Sequence, residues 1–249
     1  MTLFYGCISP WSRVFFLDNQ FDLVYNNRII NNLIIGNAII NFKDDYMSKP
    51  DTTLDPKILI SAKKEFLEKG YLNASLKSIC KDAGVTTGAI YNRYSGKEDL
   101  YNYIISLTLD EMSKFEESIM SRNEKLIKNN NIKGIWESPE SYYKKWIDFI
   151  YDNFDGIKIL LCCSDGTKYS NFLNDFVDKN TDECINFVKK AQDMGIKASV
   201  VDRDVLHLLL TAYWSTLFEC VKHDYSKTKA IKLSKKISEF FNWKIIFDF

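Results

Sequence analysis

From Asp55 onward the chain keeps one rhythm: apolar residues return every third or fourth position with charged residues between them, the period of a helix with one buried face. Leu59, Ala62, Phe66 and Leu67 set a first helix, with Lys63, Lys64, Glu65 and Glu68 on its other side and Gly70 stopping it. Ser75 caps a second helix bearing Leu76, Ile79, Cys80 and Ala83, closed by Gly84. Thr86 caps a very short third that runs to about Tyr94. A fourth starts near Lys97 and continues through Leu100, Ile104, Leu107, Met112 and Phe115 to about Ile127. After the polar NNNIKG, Ser138 and Pro139 open a helix with Tyr143, Trp146, Ile147, Ile150 and Phe154 on one stripe. Gly156 and Gly166 bracket the short apolar IKILLCCSD, and helical patterns then fill about Tyr169 to Met194, Asp202 to His223 and Thr228 to Ile246. No strand alternation competes after residue 55, so the expected fold class is all-α.

The first 46 residues break the rhythm. They hold no glutamate and are rich in asparagine, isoleucine and phenylalanine without clear periodicity. Either they form an irregular or strand-forming arm, or Met47 is the start and the segment before it is translated upstream sequence of an AT-rich genome; composition favours the second. Residues 47–54 form a polar lead-in.

Composition narrows the function classes. With 249 residues the chain can bury a sizeable core, and its 33 basic and 33 acidic residues cancel, so a nucleic-acid partner must be sought in local charge. Six scattered cysteines without CxxC spacing and only two histidines argue against a zinc site or a disulfide scaffold and suit a reducing cytoplasm, and no cofactor is expected. The vicinal Cys162 and Cys163 are a weak candidate for oxidant sensing. Ile29 to Phe42 is too short and too broken by asparagine for a bilayer span of about 20 residues. Ser164–Asp165–Gly166 and the histidines are the only catalytic hints, and no GxSxG or metal pattern accompanies them, so no enzyme and no catalytic residue is expected.

The stretch GVTTGAIYNRYSGKEDLY, residues 84–101, carries more. A glycine-terminated helix, a tight turn and a short helix make a helix-turn-helix, whose second helix enters a DNA major groove. Eight residues at 1.5 Å each span about 12 Å, close to the groove width of about 12 Å. Gly84 can take the left-handed conformation that ends a helix, and Gly88 lets backbone approach the duplex. Lys97 is anomalous, because a cation in the first turn of a helix opposes its dipole. A phosphate held by the ammonium and the free amides would account for it. The side chains of Thr86, Thr87, Tyr91, Asn92, Arg93 and Tyr94 could add contacts, although Tyr94 also suits the interior of a three-helix unit.

Residues 58–101, ILISAKKEFLEKGYLNASLKSICKDAGVTTGAIYNRYSGKEDLY, closely resemble the N-terminal domain of the TetR/AcrR family of transcriptional regulators. The resemblance is carried by Phe66 and Gly70, by Ala83, Gly84 and Val85, by Gly88, Ile90 and Tyr91, and by Lys97, Glu98 and Asp99. It implies a DNA-binding domain at 55–101 and a larger helical domain at 102–249 that dimerises and binds a small molecule. It implies DNA contacts at Ser75, Thr86, Thr87, Gly88, Tyr91, Asn92 and Lys97. Thr87 stands where many members carry a basic residue, and Gly96 replaces a usual serine or asparagine cap, so Ser95 with Glu98 would supply a shifted capping box.

Beyond residue 101 the resemblance is one of architecture. Val205 to Val221 is apolar nearly all round and should be covered on several sides, including by a second subunit. The dimer face is expected to include Leu217, Leu233, Ile237, Phe240 and Phe241. A ligand pocket is expected among Tyr143, Trp146, Ile150, Phe154, Phe172, Tyr213 and Trp214, with His207 or Glu219 as polar anchors, although an aromatic stripe at helical spacing also simply fills a core. The expected function is a ligand-responsive repressor that binds palindromic operator DNA as a homodimer and is released by a small-molecule effector. A ligand-independent DNA-binding protein of chromosome organisation or cell division is the alternative.

Overall fold

The structure is a computed structural model that describes residues 33–35, 38–40, 55–129 and 139–248. In the first 51 residues, one of two compact units, β1 (Leu33–Ile35) pairs antiparallel with β2 (Ala38–Ile40), Ile34 opposite Ile39. The rest of the N-terminal extension, the lead-in 47–54 and the expected cap Ser138 lie outside the described residues.

Among its described residues the second unit has helices and connecting turns but no strand. α1 (Asp55–Asn73) buries Ile58, Ala62 and Phe66, and its backbone leaves helical geometry at Gly70 (φ 70°, ψ 168°). α2 (Leu76–Ala83) ends on Gly84 in the left-handed region (φ 66°), whose N–H returns to the last carbonyls of the helix. α3 (Thr87–Tyr91) is shorter than expected: Thr86 Oγ1 accepts the Ala89 N–H to start it, and residues 92–94 close as a turn on Gly88 and Ile90. α4 (Lys97–Lys128) is one continuous helix of 32 residues, crossing the domain boundary expected near residue 101.

α5 (Pro139–Asp152), α6 (Phe154–Cys162), α7 (Phe172–Asp193) and α8 (Arg203–Lys222) follow. α8 is capped by the Asp202 carboxylate, which accepts the N–H groups of Asp204 and Val205. The last expected helix divides in two, α9 (Lys227–Phe240) and α10 (Trp243–Phe247). Its apolar stripe could not stay on one axis, because Phe241 and Phe247 both turn into the core while Phe240 is left in solvent.

α6 is the keystone. It packs against α1, α4, α7 and α8, and it is apolar over most of its nine residues because it has neighbours on several sides. Gly156 lies so close to α4 that an added Cβ would sit 1.9 Å from Thr108 Oγ1. α1 and α6 are further joined by the Tyr71 N–H, which donates to the Cys163 carbonyl (3.1 Å).

Candidate nucleic-acid interface and helical core

The helix-turn-helix is held from inside by residues that the hydrophobic pattern had placed elsewhere. Glu65 was expected on the solvent side of α1, yet it is only 6 % exposed, because it shares the stripe of Ile58, Ala62 and Phe66. Its carboxylate accepts the Ser75 N–H (3.0 Å) and the Lys69 ammonium (2.9 Å). Burial pushes this carboxyl up, but those bonds outweigh it and leave Glu65 below its ordinary value. Ser75 thus sits at the start of α2 without capping it through its own side chain. Arg93, suggested as a phosphate contact, is likewise internal: it pairs with Asp55 and donates to the Ala89 carbonyl (2.8 Å). Tyr94 is buried against Tyr103, ring centroids 5.6 Å apart, and burial raises its hydroxyl to about 12. The shifted capping box uses Asp99 in place of Glu98, accepting the Ser95 N–H at 2.8 Å.

What remains outside is a polar face. Ile90 points inward from α3, while Thr86, Thr87, Gly88, Tyr91 and Asn92 are exposed, with Thr87 and Tyr91 one turn apart and Gly88 and Asn92 likewise. Tyr91 is 55 % exposed. Ser75, Lys77 and Lys81 are exposed on α2. Lys97, expected to meet a phosphate, has partners within the chain: its ammonium donates to the carbonyls of Tyr71 (2.7 Å), Leu72 (3.1 Å) and Ala74 (3.1 Å) and stands 4.6 Å from the Tyr71 ring centroid.

In the C-terminal helices the structure gathers part of the expected pocket. Tyr143 and Trp146 of α5 meet Tyr213 and Trp214 of α8, with centroids 5.3 Å apart for the tyrosines and 4.6 Å for the tryptophans, and Phe176 of α7 packs edge-on to Trp214 at 4.9 Å. Phe172 joins through Phe176, and Ile150 is buried. The Tyr143 and Tyr213 hydroxyls face each other, Tyr143 also faces Trp243, and Trp146 faces the Tyr142 hydroxyl. Even so, Tyr143 Oη, Tyr213 Oη, Trp146 Nε1 and Trp214 Nε1 are all buried without a hydrogen bond of proper length and angle. Burial raises Tyr143 to about 12 and Tyr213 well above its ordinary value, so both stay protonated donors. His207 and Phe154 do not join them. His207 Nδ1 lies 3.2 Å from Asp178 Oδ1. Phe154 borders a separate cleft of about 250 Å³ with Lys63, Thr108 and Gly156. Glu219 faces Lys222 and His223 on the surface.

The expected dimer residues also separate. Leu217 is 0 % exposed and Phe241 stacks edge-on to Tyr213 at 5.5 Å, so both belong to the chain's own core. Leu233 and Ile237 are half-buried, and Phe240 is 82 % exposed. On α8, within the apolar stretch expected to be covered on several sides, Val205 and Leu208 are left in solvent, Leu208 at 67 %.

Buried Ser164 donates to the Leu160 carbonyl, and no group of histidines, cysteines and carboxylates suited to a metal occurs among the described residues. Burial raises both the Cys162 and Cys163 thiols above their ordinary value, away from the reactive thiolate. No helix among the described residues is long and apolar enough to cross a membrane.

A three-helix unit with an exposed polar third helix is the geometry of a major-groove DNA reader. Residues 58–104 match the model of the family described as bacterial regulatory proteins, tetR family, and over this segment the chain is a tetR-family helix-turn-helix. The chain is 34 % identical over 64 residues to the HTH-type transcriptional regulator UidR of Escherichia coli K12, which covers 25 % of this chain and 33 % of UidR. It is 26 % identical over 113 residues to the transposon Tn10 TetC protein of E. coli, 45 % of this chain and 48 % of TetC. It therefore spans half or less of the length of these curated relatives. Among solved structures, a TetR-family transcriptional regulator from Bordetella parapertussis covers 77 % of this chain and 94 % of its own (TM-score 0.52, 16 % identity). NalD, the secondary repressor of the MexAB-OprM multidrug efflux pump in Pseudomonas aeruginosa, covers 76 % and 96 % (TM-score 0.50, 18 % identity). At these identities the likeness is one of fold: an N-terminal helix-turn-helix followed by a larger all-helical body.

Proposed function

We propose that the protein is a transcription regulator that binds a palindromic operator in the cytoplasm as a homodimer, through α3, and that a small molecule held by the C-terminal helices releases it. The observation that carries this is the outward polar face of α3, Thr87, Gly88, Tyr91 and Asn92, on a unit in which Glu65 and Arg93 are engaged internally. Ser75 and Thr86 flank it and complete the contact set. A tyrosine half in solvent with exposed threonine and asparagine beside it suits hydrogen bonding to phosphates and base edges.

The dimer reading is supported by the uncovered apolar positions Val205 and Leu208 on α8 and Phe240 at the end of α9, which a second copy would bury. Two recognition helices about 34 Å apart would then meet successive major grooves. The effector reading is supported by Tyr143, Trp146, Tyr213 and Trp214, whose buried donors make no hydrogen bond of proper length and angle within the chain, because buried polar groups normally have well-formed partners. A planar molecule carrying acceptor oxygens would supply them. Release follows if such a molecule favours a conformation whose α3 helices no longer fit the half-site spacing.

Fluorescence anisotropy on duplexes from the region upstream of the protein's own gene, against scrambled duplexes, tests the reading. Sequence-selective binding that Tyr91→Ala weakens at constant thermal stability is the expected result. Equal affinity for every duplex would reject selective operator binding at the sites tried and move the search to genome-wide mapping.

A further inference from the structure

We propose that Lys97 is a positioning residue for DNA binding, a clamp that ties the end of α1 to the start of α4, and that it does not serve as a phosphate ligand. The consequence for DNA rests on the regulator reading above; the clamp itself does not.

A lysine ammonium has three N–H donors and no acceptor. Lys97 has three carbonyl acceptors around it, at 2.7, 3.1 and 3.1 Å, so its donor capacity is filled inside the protein. Those carbonyls exist for it because the helix of α1 breaks at Gly70 and stops at Asn73, which leaves the C=O groups of residues 71, 72 and 74 without continuing helical partners. The Tyr71 ring adds a π face 4.6 Å from the cation. The anomaly in the sequence is thereby resolved. A cation at the N-terminus of α4 opposes that helix's dipole, but the same cation sits at the C-terminus of α1, where the partial charge is negative.

The turn that Lys97 grips sets the angle between α1 and α2, and through α2 the pose of α3. Glu65 also grips it, accepting the Ser75 N–H. It is also where the body of the protein takes hold: the Tyr71 N–H donates to the Cys163 carbonyl (3.1 Å), and Tyr101 Oη approaches that oxygen at 3.5 Å. At Gly166 an added Cβ would meet Leu72 Cδ2 at 2.4 Å. Lys97 therefore fixes a turn that is bonded both to the helix-turn-helix and to the segment following α6.

The test compares wild type, Lys97→Met and Lys97→Arg by anisotropy across a salt series, on the upstream duplex and on a scrambled duplex, well below each variant's melting temperature. A clamp predicts that both variants lose about tenfold in affinity, the scale of an ordinary coupling between sites, with the slope of log K against log[salt] unchanged. Arg fails in this scheme because a planar fork cannot replace an ammonium among three converging carbonyls. A phosphate ligand predicts the opposite: Met makes the slope shallower by about 0.9, and Arg retains full affinity. That pattern overturns the proposal. So does unchanged affinity with a lowered melting temperature, which would make Lys97 a stabilising residue only. If Met does not fold, Arg alone decides. If no duplex binds wild type at all, the regulator reading falls and the positioning role falls with it. Hydrogen exchange of the Tyr71 and Ser75 amides, faster in Lys97→Arg if the clamp is real, then decides the clamp separately.

Discussion

Gly156→Ala sets local propensity directly against tertiary packing. Gly156 is buried in the first turn of α6, where alanine should help, because glycine inside a helix costs about 0.5–1 kcal/mol relative to alanine. The new methyl would lie 1.9 Å from Thr108 Oγ1 and 2.9 Å from both Thr108 Cβ and Cγ2. Thr108 is buried and β-branched, so rotating χ1 only exchanges one blocking atom for another, and the 2.9 Å approach to Cβ survives any rotation. Relief requires α4 and α6 to separate. Overpacking of this kind costs about 1–3 kcal/mol. Taking the upper end for a stiff neighbour and subtracting about 1 kcal/mol of propensity leaves a net loss of about 2 kcal/mol, which lowers Tm by roughly 4–8 °C in a chain of this size. The assay is thermal unfolding of wild type, Gly156→Ala, Thr108→Ala and the double variant. Thr108→Ala removes Oγ1 and Cγ2, so the methyl should be tolerated better in that background by about 1 kcal/mol or more. A Gly156→Ala variant that melts higher than wild type, or costs the same in both backgrounds, would refute the close approach of α4 and α6.

Adjacent phenylalanines should part company in the same assay. Phe241→Ala, emptying a core site beside Tyr213, should cost about 3–5 kcal/mol, whereas Phe240→Ala should leave unfolding nearly untouched and weaken self-association in sedimentation equilibrium. Gly84→Ala meets no atom within 4 Å, but the residue must keep φ near +66°, so the loss should be about 1–2 kcal/mol from backbone strain alone; a neutral result would show that the α2–α3 turn can relax. Glu65 has its folded pKa below its ordinary value, so its contribution is present above the unfolded pKa near 4.3 and is lost as pH falls through the lower folded value. The difference in stability between wild type and Glu65→Gln should shrink as pH is lowered through that window, and a constant difference down to pH 2 would show that the carboxylate charge contributes nothing.

The sequence by itself determined the helical class, most of the helix starts and the location of the helix-turn-helix. These are local matters. Thr86 caps α3, Asp202 starts α8 and Gly84 ends α2 because each signal acts within a few residues of itself. Spacing also carried information that charge concealed: Glu65 stands on the stripe of Ile58, Ala62 and Phe66, and its burial followed from that position, not from its residue type. Tertiary structure alone decided what each charged group answers to. Lys97 finds its acceptors 23 to 26 residues earlier in the chain, and Arg93 finds Asp55 across 38. No periodicity reports such pairs, because the partners are brought together by the packing of α1 against α2 and α4. The same holds at the other end of the chain. One apolar stripe ran from α9 into α10, and only the break after Phe240 determined that Phe241 enters the chain's own core while Phe240 is left on the surface, since hydrophobicity gives a residue its need for burial but not the neighbour that meets it.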